Sequence, residues 1–578
     1  MLTNSLLAGA LGAAYLTILI LQLNPQIPLV SNTTGRWFAT LALSYGVHLA
    51  VLFYLIVVLR EFFALRVLSP GWASVRILAW MGAASAAVAS ALMWLNVRGF
   101  YTSLTEDATR RMTAGALATT AAAAVLLVIA IAHYSFGRRG SRVGASLFVL
   151  ATFASLALPL AARGPGVDLP IPIAPLRAPA APAAAPGQPR VAMILLDGAS
   201  LDYVLPRVAE GRLPAFARLL EKGAVMDLAT VRPTQPDPVW AAVATGMYPS
   251  KNGVRSAASF FARSDDRMVD LLPDHCFSHA LAYLGFIHDE PNASNTWRAR
   301  PLWSIASNAG VRVGIVRWPL TYPAAEVNGF IVSDRFHQLV GSIAEFDRAA
   351  SPHEVLGWVE TSFADPAGGS DAQSAPFKAP AAPSPEESAL RRDRGYSAAM
   401  QNLAGEMAPR LTALRYEGLD VVSHYYLRYT QPRLFRDIPD EDRRRFSQVI
   451  DRYYAYIDSE LAAVLDRLAA GDLLVVVSGF GMQPLNPIKQ AVGRILGNPD
   501  FTGTHEGAPD GFLIAYGNSV EPNPRHKQRG SIVDVTPTVL YFLGLPVARD
   551  MDGFARADLF TRAFTADRPI VFIPSYSK

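Results

Sequence analysis

The chain has 578 residues, more than one ordinary domain needs, and 51% of them are hydrophobic. The formal net charge is only +4, and its Lys and Arg residues are scattered, so the composition gives no support for nucleic-acid binding. Cys276 is the only cysteine, which excludes an intramolecular disulfide and a cysteine metal cluster.

The N-terminal part of the chain is strongly apolar and predicts a membrane segment over 1–162. Its five apolar runs lie near residues 5–23, 37–59, 76–95, 113–134 and 143–162. Each is long enough for a helix that crosses a bilayer, which takes roughly 20 residues. The first run has no basic residue before it and no small-residue cleavage site after it, so we expect an anchor and not a signal peptide.

The arginines that flank the apolar runs predict the orientation of the segment. Six lie in the loops after the second and fourth runs, at Arg60, Arg66, Arg76, Arg138, Arg139 and Arg142. Four lie on the opposite side, at Arg36, Arg98, Arg110 and Arg111. Because basic loops favour the cytoplasm, the first set is expected inside. The protein is then a multi-pass protein of the cell (inner) membrane, with everything after residue 163 periplasmic or extracellular.

Two stretches have compositions that do not favour a packed core. Residues 163–189 are rich in Pro and Ala and are expected to form an extended linker. Residues 364–392 are rich in Ala, Pro, Ser and Gly and are expected to be a disordered surface insertion.

From Arg190 onwards, short β-rich runs alternate with helical stretches. The predicted strands are Val191–Leu196, Val313–Val316, Leu473–Val477 and Gly511–Tyr516. This alternation predicts an α/β domain with a central sheet that is covered by helices on both faces. Ligands of such sheets bind beyond the carboxyl ends of the strands, where Asp197 and Ser478–Gly481 are expected to lie.

Several motifs of this domain occur in an order that is known from one family. They are Leu195–Gly198, Trp240 with Ala244–Pro249 and Asn252–Gly253, Trp318–Pro323, Asp420–His424, Gly503–His505, Ile532–Thr538 and Gly544–Gly553. Together they resemble the type I phosphodiesterase/nucleotide pyrophosphatase branch of the alkaline phosphatase superfamily. The resemblance implies an alkaline-phosphatase-like domain over 190–562, which leaves 563–578 as a C-terminal tail.

The resemblance also implies a metal site. The family holds two zinc ions, one of them through a D-x-x-x-H pair and a last histidine, which match Asp420, His424 and His505. Two imidazoles and a carboxylate suit zinc and leave its fourth position open for water or substrate. The alternative is an ordinary Asp/His pair on a helix face and an unrelated histidine.

The family's second zinc is held by a first Asp, by the nucleophile, and by the Asp and His of a Ser-Asp-His-Gly motif. In this chain a buried strand is predicted to run into a glycine turn at that motif, and Gly479 and Phe480 stand at the two ligand positions. Only Asp197 remains as a ligand, so one zinc ion is expected and not two.

The nucleophile of the family also has no counterpart at its usual place. Pro236 stands four residues before Trp240, where the family has Ser or Thr. Thr234 lies two residues away and faces the same side if the segment is extended, which makes it a candidate substitute nucleophile. Asp237 faces the other way on that model.

The sequence leaves three functions open. The first is a membrane-anchored phosphoester hydrolase or transferase that works with one metal ion. The second is a catalytically inactive relative that serves as a binding or assembly module. The third is a transport or scaffold role, which the few charged residues in the spans disfavour.

The layout of five spans before an outward-facing domain resembles lipoteichoic acid synthases and phosphoethanolamine transferases. This likeness favours a phosphate-containing envelope or lipid-linked ligand over a soluble nucleotide, although layout alone does not set function. The expected partners are therefore the lipid bilayer and such a ligand. The oligomeric state is not indicated by the sequence.

Overall fold

A computed structural model of the chain contains two compact units. One unit comprises Met1–Ile171 and Arg255–Asn292, and the other comprises Pro172–Val254 and Ala293–Lys578. The structure describes residues 2–63, 75–135, 142–164, 188–263, 269–272, 280–340, 345–363, 384–431, 435, 438–487, 489–491, 500–523 and 529–577.

The first unit is built mainly of long apolar helices. They are α1 (Leu2–Leu23), α2 (Asn32–Leu41), α3 (Val47–Phe63), α4 (Val75–Gly99), α5 (Glu106–Ser135) and α6 (Arg142–Arg163), and a π-helical turn at Ala42–Gly46 joins α2 to α3. Among the described residues, five helical stretches are long and apolar enough to cross a membrane, namely Leu2–Leu23, Asn32–Leu59, Ile77–Gly99, Glu106–Ala132 and Arg142–Arg163. The predicted number of spans is confirmed.

Small and hydroxyl side chains mediate the packing of these helices. Ala86 of α4 and Ala123 of α5 are buried in one cluster, and small residues of this kind let helix backbones approach closely. The hydroxyl groups of Tyr15 and Ser155, on α1 and α6, lie 2.6 Å apart. The loops with Arg66, Arg138 and Arg139 lie outside the described residues, so the orientation stays a prediction.

A segment between two parts of the α/β unit also belongs to the helical unit. It contains the antiparallel strands β3 (Ala258–Ala262) and β4 (Ile287–Pro291) and the short helix α11 (Ala280–Tyr283). Buried Phe260 and Leu272 of this segment share a hydrophobic cluster with Ile20 and Trp37 of the long helices.

The second unit is organised around a nine-stranded sheet. Its strands are β1 (Val191–Leu196), β2 (Ala224–Ala229), β5 (Val313–Val316), β6 (Gly329–Val332), β7 (Ala350–Ser351), β8 (Leu411–Tyr416), β9 (Leu473–Phe480), β12 (Asp510–Tyr516) and β13 (Gly530–Ser531). Their order is β13-β2-β12-β9-β1-β8-β5-β6-β7. The central neighbours β9, β1, β8 and β5 are parallel, whereas β12 runs antiparallel to both β9 and β2.

Short ladders and helices complete the second unit. The short strands are β10 (Gln483–Pro484), β11 (Gly503–Thr504), β14 (Val547–Ala548) and β15 (Phe572–Ile573). The helices are α7 (Leu201–Ala209), α8 (Pro214–Lys222), α9 (Pro236–Thr245), α10 (Pro249–Asn252), α12 (Leu302–Asn308), α13 (Phe336–Leu339), α14 (Leu356–Phe363), α15 (Pro385–Met407), α16 (Gly418–Thr430), α17 (Asp440–Phe446), α18 (Val449–Leu465), α19 (Val535–Leu543) and α20 (Arg562–Asp567).

Helices pack on both faces of the sheet, as the alternation of strands and helices predicts. Helices α9, α12 and α19 share one hydrophobic core with one face of the sheet, and α8, α15, α16 and α18 share another core with the opposite face. All four predicted strands are present. Strand β9 continues through Phe480 and does not turn at Gly479, because Phe480 still pairs with Asp510 of β12.

The two stretches of biased composition fall largely outside the described residues. These are 165–187 of the predicted linker and 364–383 of the predicted insertion. The insertion was expected to reach residue 392, but residues 385–392 form the first turns of α15. Their helix is favoured by a capping box, in which Ser384 and Glu387 each bond the backbone N–H of the other.

Candidate metal centre

The carboxyl ends of β1, β8 and β9 lie at the same edge of the sheet, because these strands are parallel. Asp197 follows β1, and the turn after β8 leads into α16, which begins at Gly418. Gly198 has a φ of +72°, and a Cβ atom there would lie only 3.0 Å from the Cα atom of Asp420. The turn after β1 therefore packs directly against the start of α16.

Three side chains at this edge form a compact group. Asp420 and His424 are four residues apart on α16 and so share one helix face, and His505 follows β11. One ligand atom of each residue lies within 4.8 Å of the others. The Nε2 atom of His424 is 3.3 Å from the Oδ2 atom of Asp420. Among the described residues, this is the group that could hold a metal ion.

Backbone carbonyl groups fix the orientation of both imidazoles. The Nδ1 atom of His424 lies 2.8 Å from the carbonyl oxygen of Gly503, and that of His505 lies 2.6 Å from the carbonyl oxygen of Thr234. With Nδ1–H donating to a carbonyl, each ring keeps the lone pair of Nε2 for a metal ion. This pattern of outer hydrogen bonds is usual for zinc-binding histidines.

The carboxylate of Asp420 also suits a cation. Its Oδ1 atom is buried and has no hydrogen-bond partner among the described residues. A buried carboxylate oxygen without a partner is costly unless a cation or another donor binds it. The three residues present therefore fit a divalent metal ion.

The two histidines have pKa values that shift in opposite directions. Burial lowers the pKa of His424, but the hydrogen bond and the charge of Asp420 outweigh burial, so the net change is upward. Burial lowers the pKa of His505. Because a metal ion binds only the neutral imidazole, it must displace the proton that Asp420 favours on His424. Metal affinity at this site should therefore increase with pH.

Aromatic rings cover the two imidazoles. The ring of Phe501 stacks on His424 with a centroid distance of 4.4 Å, and the ring of Phe480 lies 5.1 Å from His505. Phe480 is fully buried, whereas Phe501 is partly exposed. The rings restrict the movement of the imidazoles and limit access of water to them.

Asp197 is the one expected ligand that is not part of this group. Its carboxylate is fully buried and accepts hydrogen bonds from Trp240 Nε1 at 2.7 Å and from Arg415 Nε at 3.0 and 3.1 Å. A further hydrogen bond comes from Arg415 Nη2. Burial raises the pKa of Asp197 to about 6, with the charge of Arg415 opposing the shift. The oxygens of Asp197 thus bind protein donors, and its role as a ligand of the family's second metal position stays a prediction.

The segment before α9 carries the candidate nucleophile. Pro236 is the first residue of α9, a position that proline tolerates because the first N–H groups of a helix have no helical partner. The side chain of Thr234 is only 3% exposed, and its hydroxyl donates to the carbonyl of Val231 at 3.1 Å. Its role as a nucleophile stays a prediction.

Sequence reasoning missed the buried charges behind this edge. Arg415 is bound to Asp197, and its Nη2 atom is 3.9 Å from Glu417. Arg317 pairs with Glu417 at 2.5 Å and also with Asp393. A signal existed in the run Leu-Thr-Ala-Leu-Arg-Tyr, because a charged residue in an otherwise apolar strand indicates a buried partner. The backbone carbonyls that hold the histidines leave no such signal.

Comparison with known proteins identifies one family. The model of the family described as type I phosphodiesterase / nucleotide pyrophosphatase matches residues 191–534. Members of this family use metal ions. No curated protein sequence is similar enough to count as a match.

Solved structures give a more distant likeness. Murine ectonucleotide pyrophosphatase/phosphodiesterase 5, in an inactive variant in complex with AMP, is 14% identical with a TM-score of 0.38. That match covers 65% of this chain and 100% of the murine chain. The human counterpart gives the same identity and TM-score and covers 64% of this chain and 100% of its own.

Proposed function

The chain belongs to the type I phosphodiesterase/nucleotide pyrophosphatase family, and from this premise we propose that it binds a phosphate ester at a single metal ion. The family's two-metal hydrolysis is then weak or lost. The ion is zinc, held by Asp420, His424 and His505. The ligand is a phosphate-containing group of the cell envelope or of a lipid, presented to a protein that five spans anchor in the membrane.

The main support for this proposal is that three ligand residues match one of the family's two metal positions, whereas only Asp197 matches at the other. The ligand atoms of Asp420, His424 and His505 lie within 4.8 Å of one another, with both imidazoles oriented by carbonyl groups. The family positions for the second ion and the nucleophile carry Gly479, Phe480 and Pro236, which have no side-chain ligand atom.

The residues of the site have separate tasks in binding. A zinc ion held there would polarise a phosphoryl oxygen or lower the pKa of a bound water towards roughly 7. His424 and His505 would hold the ion through Nε2, and Asp420 would hold it through its carboxylate, which supplies a negative charge. With three protein ligands, a zinc ion would keep a coordination position open for a phosphate oxygen.

Catalysis by the two-metal route is disfavoured for a physical reason. That route clamps the attacking and the leaving oxygen between two ions. Loss of one ion removes several kcal/mol of stabilisation, and about 1.4 kcal/mol corresponds to a tenfold change in rate. We therefore expect hydrolysis of a simple phosphodiester to be at least about a hundredfold slower than in a complete two-zinc relative.

The test uses the full-length chain in detergent, loaded with zinc. Binding of inorganic phosphate is measured by calorimetry, and hydrolysis of bis-p-nitrophenyl phosphate is measured by absorbance. We expect phosphate to bind the wild-type protein and not the H424N variant, with slow turnover in both. H353N is the matched control, because His353 is exposed and lies outside the metal group.

Two results would contradict the proposal. Turnover at the rate of a complete two-zinc relative would show that the remaining metal ligands are enough for fast catalysis. Equal phosphate binding by the wild type and H424N would show that the ligand does not bind at this metal position.

A further inference from the structure

A buried carboxylate needs a positive charge close to it. Asp197 is fully buried at the end of β1, and both of its oxygens accept hydrogen bonds from Arg415. In a complete member of the family the corresponding carboxylate binds a metal ion. In this chain the positive charge beside Asp197 comes from the side chain of Arg415.

The geometry of the sheet explains why Arg415 reaches Asp197. Strands β1 and β8 are parallel neighbours, and Leu195 pairs with Arg415 in their register. The guanidinium is nearly buried, with 8% of the side chain exposed. Its planar fork presents several N–H donors at once, which suits a carboxylate better than a lysine would.

Other carboxylates surround the same guanidinium. Burial by itself lowers the pKa of Arg415, but the charges of Asp197, Glu417 and Asp237 outweigh burial and raise it. Because Glu417 also pairs with Arg317, the hydrogen bonds of the Arg415 guanidinium go to Asp197.

The places of the missing metal ligands are filled with protein atoms. A Cβ atom on Gly479 would lie 2.4 Å from Cγ1 of Val239, so an aspartate side chain does not fit there unless the Val239 side chain moves. Phe480, at the histidine position, is fully buried and belongs to the same hydrophobic cluster as Val239 and Trp240. Reversing the two substitutions alone would therefore not rebuild the second site.

We propose that the Arg415 guanidinium takes the place of the second metal ion, as the counter-charge that buried Asp197 requires. The domain then needs one metal ion to bind its ligand. It needs no second ion to compensate the buried charge of Asp197. This inference rests on the proposed function, because it assumes that Asp420, His424 and His505 hold the single ion.

The test is a double-mutant cycle on the full-length protein, with thermal unfolding and zinc content as readouts. D197N and R415M each leave one buried charge unpaired and are expected to lower Tm by several degrees. The double variant D197N/R415M removes both charges and is expected to melt above either single variant. D197N is expected to keep the zinc content of the wild type.

The matched control is the more exposed pair of Glu386 and Arg452, whose atoms are 2.9 Å apart. The cycle of E386Q and R452M is expected to show little coupling, because exposed ion pairs contribute little. Should R415M not fold while the double variant does, that result also supports the proposal.

Two outcomes would overturn the inference. One is loss of zinc from D197N, which would make Asp197 a metal ligand. The other is a Tm of the double variant that lies below the wild-type Tm by the sum of the decreases in the two single variants. A failure of the proposed function is detected separately, because D420N would then retain zinc. That result would not change the Tm values expected for the Asp197 and Arg415 variants.

Discussion

At the scale of single residues, the backbone and the side chain of Thr234 make hydrogen bonds to different partners. Its carbonyl accepts the hydrogen bond from His505 Nδ1, whereas its hydroxyl is buried and donates to Val231. The T234A substitution keeps the carbonyl and removes the hydroxyl. We therefore expect T234A to leave zinc content and phosphodiester turnover unchanged, as measured by elemental analysis and absorbance.

A different result for T234A would assign the hydroxyl a chemical role. If turnover is measurable in the wild type and disappears in T234A while the zinc content stays constant, Thr234 is the substitute nucleophile. T361A is a suitable control, because Thr361 is exposed and its hydroxyl also donates to a carbonyl three residues before it.

Glu417 gives a prediction on pH. Burial raises the pKa of this carboxyl, but the charges of Arg317 and Arg415 outweigh burial and lower it from 4.5 to about 2. A group whose pKa is depressed by folding stabilises the fold above its unfolded value and loses that contribution as the pH falls. Glu417 therefore stabilises the domain at neutral pH, and this contribution declines from pH 4.5 towards pH 2.

The E417Q variant tests this dependence. Denaturant unfolding is expected to show a lower free energy of unfolding for E417Q than for the wild type at pH 7. The difference should shrink as the pH is lowered from 5 towards 3. A difference that does not change over this range would mean that the charge of Glu417 contributes nothing to stability.

At the scale of elements, the contact between β9 and α9 decides whether the second metal position can return. Gly479 of β9 faces Val239 of α9 at a distance that leaves no room for a Cβ atom. G479A is therefore expected to lower the free energy of unfolding by about 1–3 kcal/mol, the usual cost of overpacking. Denaturant unfolding measures the change.

Two variants serve as controls for this contact. G405A lies in α15, where a Cβ atom would meet nothing within 4 Å, and it should not destabilise the protein. The double variant G479A/V239A should lose less stability than the two single losses add up to, because the smaller side chain makes room. Strictly additive losses in the free energy of unfolding would show that the Val239 side chain does not obstruct a Cβ atom at residue 479.

The elements of the sheet could be predicted from the sequence because they depend on local pattern. Val191–Leu196 and Val313–Val316 form strands with the predicted bounds. Strand β9 runs three residues further than predicted, through Phe480, because its length is set by pairing with β12. Glycine at 479 indicates a turn by local rules, but the antiparallel neighbour overrides them.

The site could be predicted only where a motif carries it. The resemblance to the family's D-x-x-x-H pair and last histidine predicted the group of Asp420, His424 and His505, which the structure brings together. Asp197 was expected beside them because its strand-end position matches the family. Its pairing with Arg415 depends on which strand lies next to β1, and an unaligned sequence does not contain that information.

At the scale of the whole molecule, the segment 255–292 belongs to the helical unit although the chain on either side of it belongs to the α/β unit. Asn24, just after α1, binds this segment through its side chain. Its Nδ2 atom donates to the carbonyl of Leu271 at 2.8 Å, and its Oδ1 atom accepts from the N–H groups of Asp270 and Leu271 at 3.0 and 3.1 Å. One buried amide thus binds three backbone groups of this segment.

The N24A variant is expected to destabilise the helical unit markedly. Each buried backbone group left without a partner costs about 1–3 kcal/mol. Thermal unfolding of the full-length protein in detergent measures the effect, with N32A as control because Asn32 is exposed. Equal melting of N24A and N32A would mean that the amide does not hold the segment in place.

We expect the whole molecule to hold one zinc ion, at Asp420, His424 and His505. Elemental analysis of the full-length protein, saturated with zinc and then passed through gel filtration, tests it most directly. We expect about one zinc per chain, and none in D420N or H424N, since three ligands form a zinc site and one carboxylate does not. Two tightly held zinc ions per wild-type chain, or one ion retained after loss of Asp420, would contradict it.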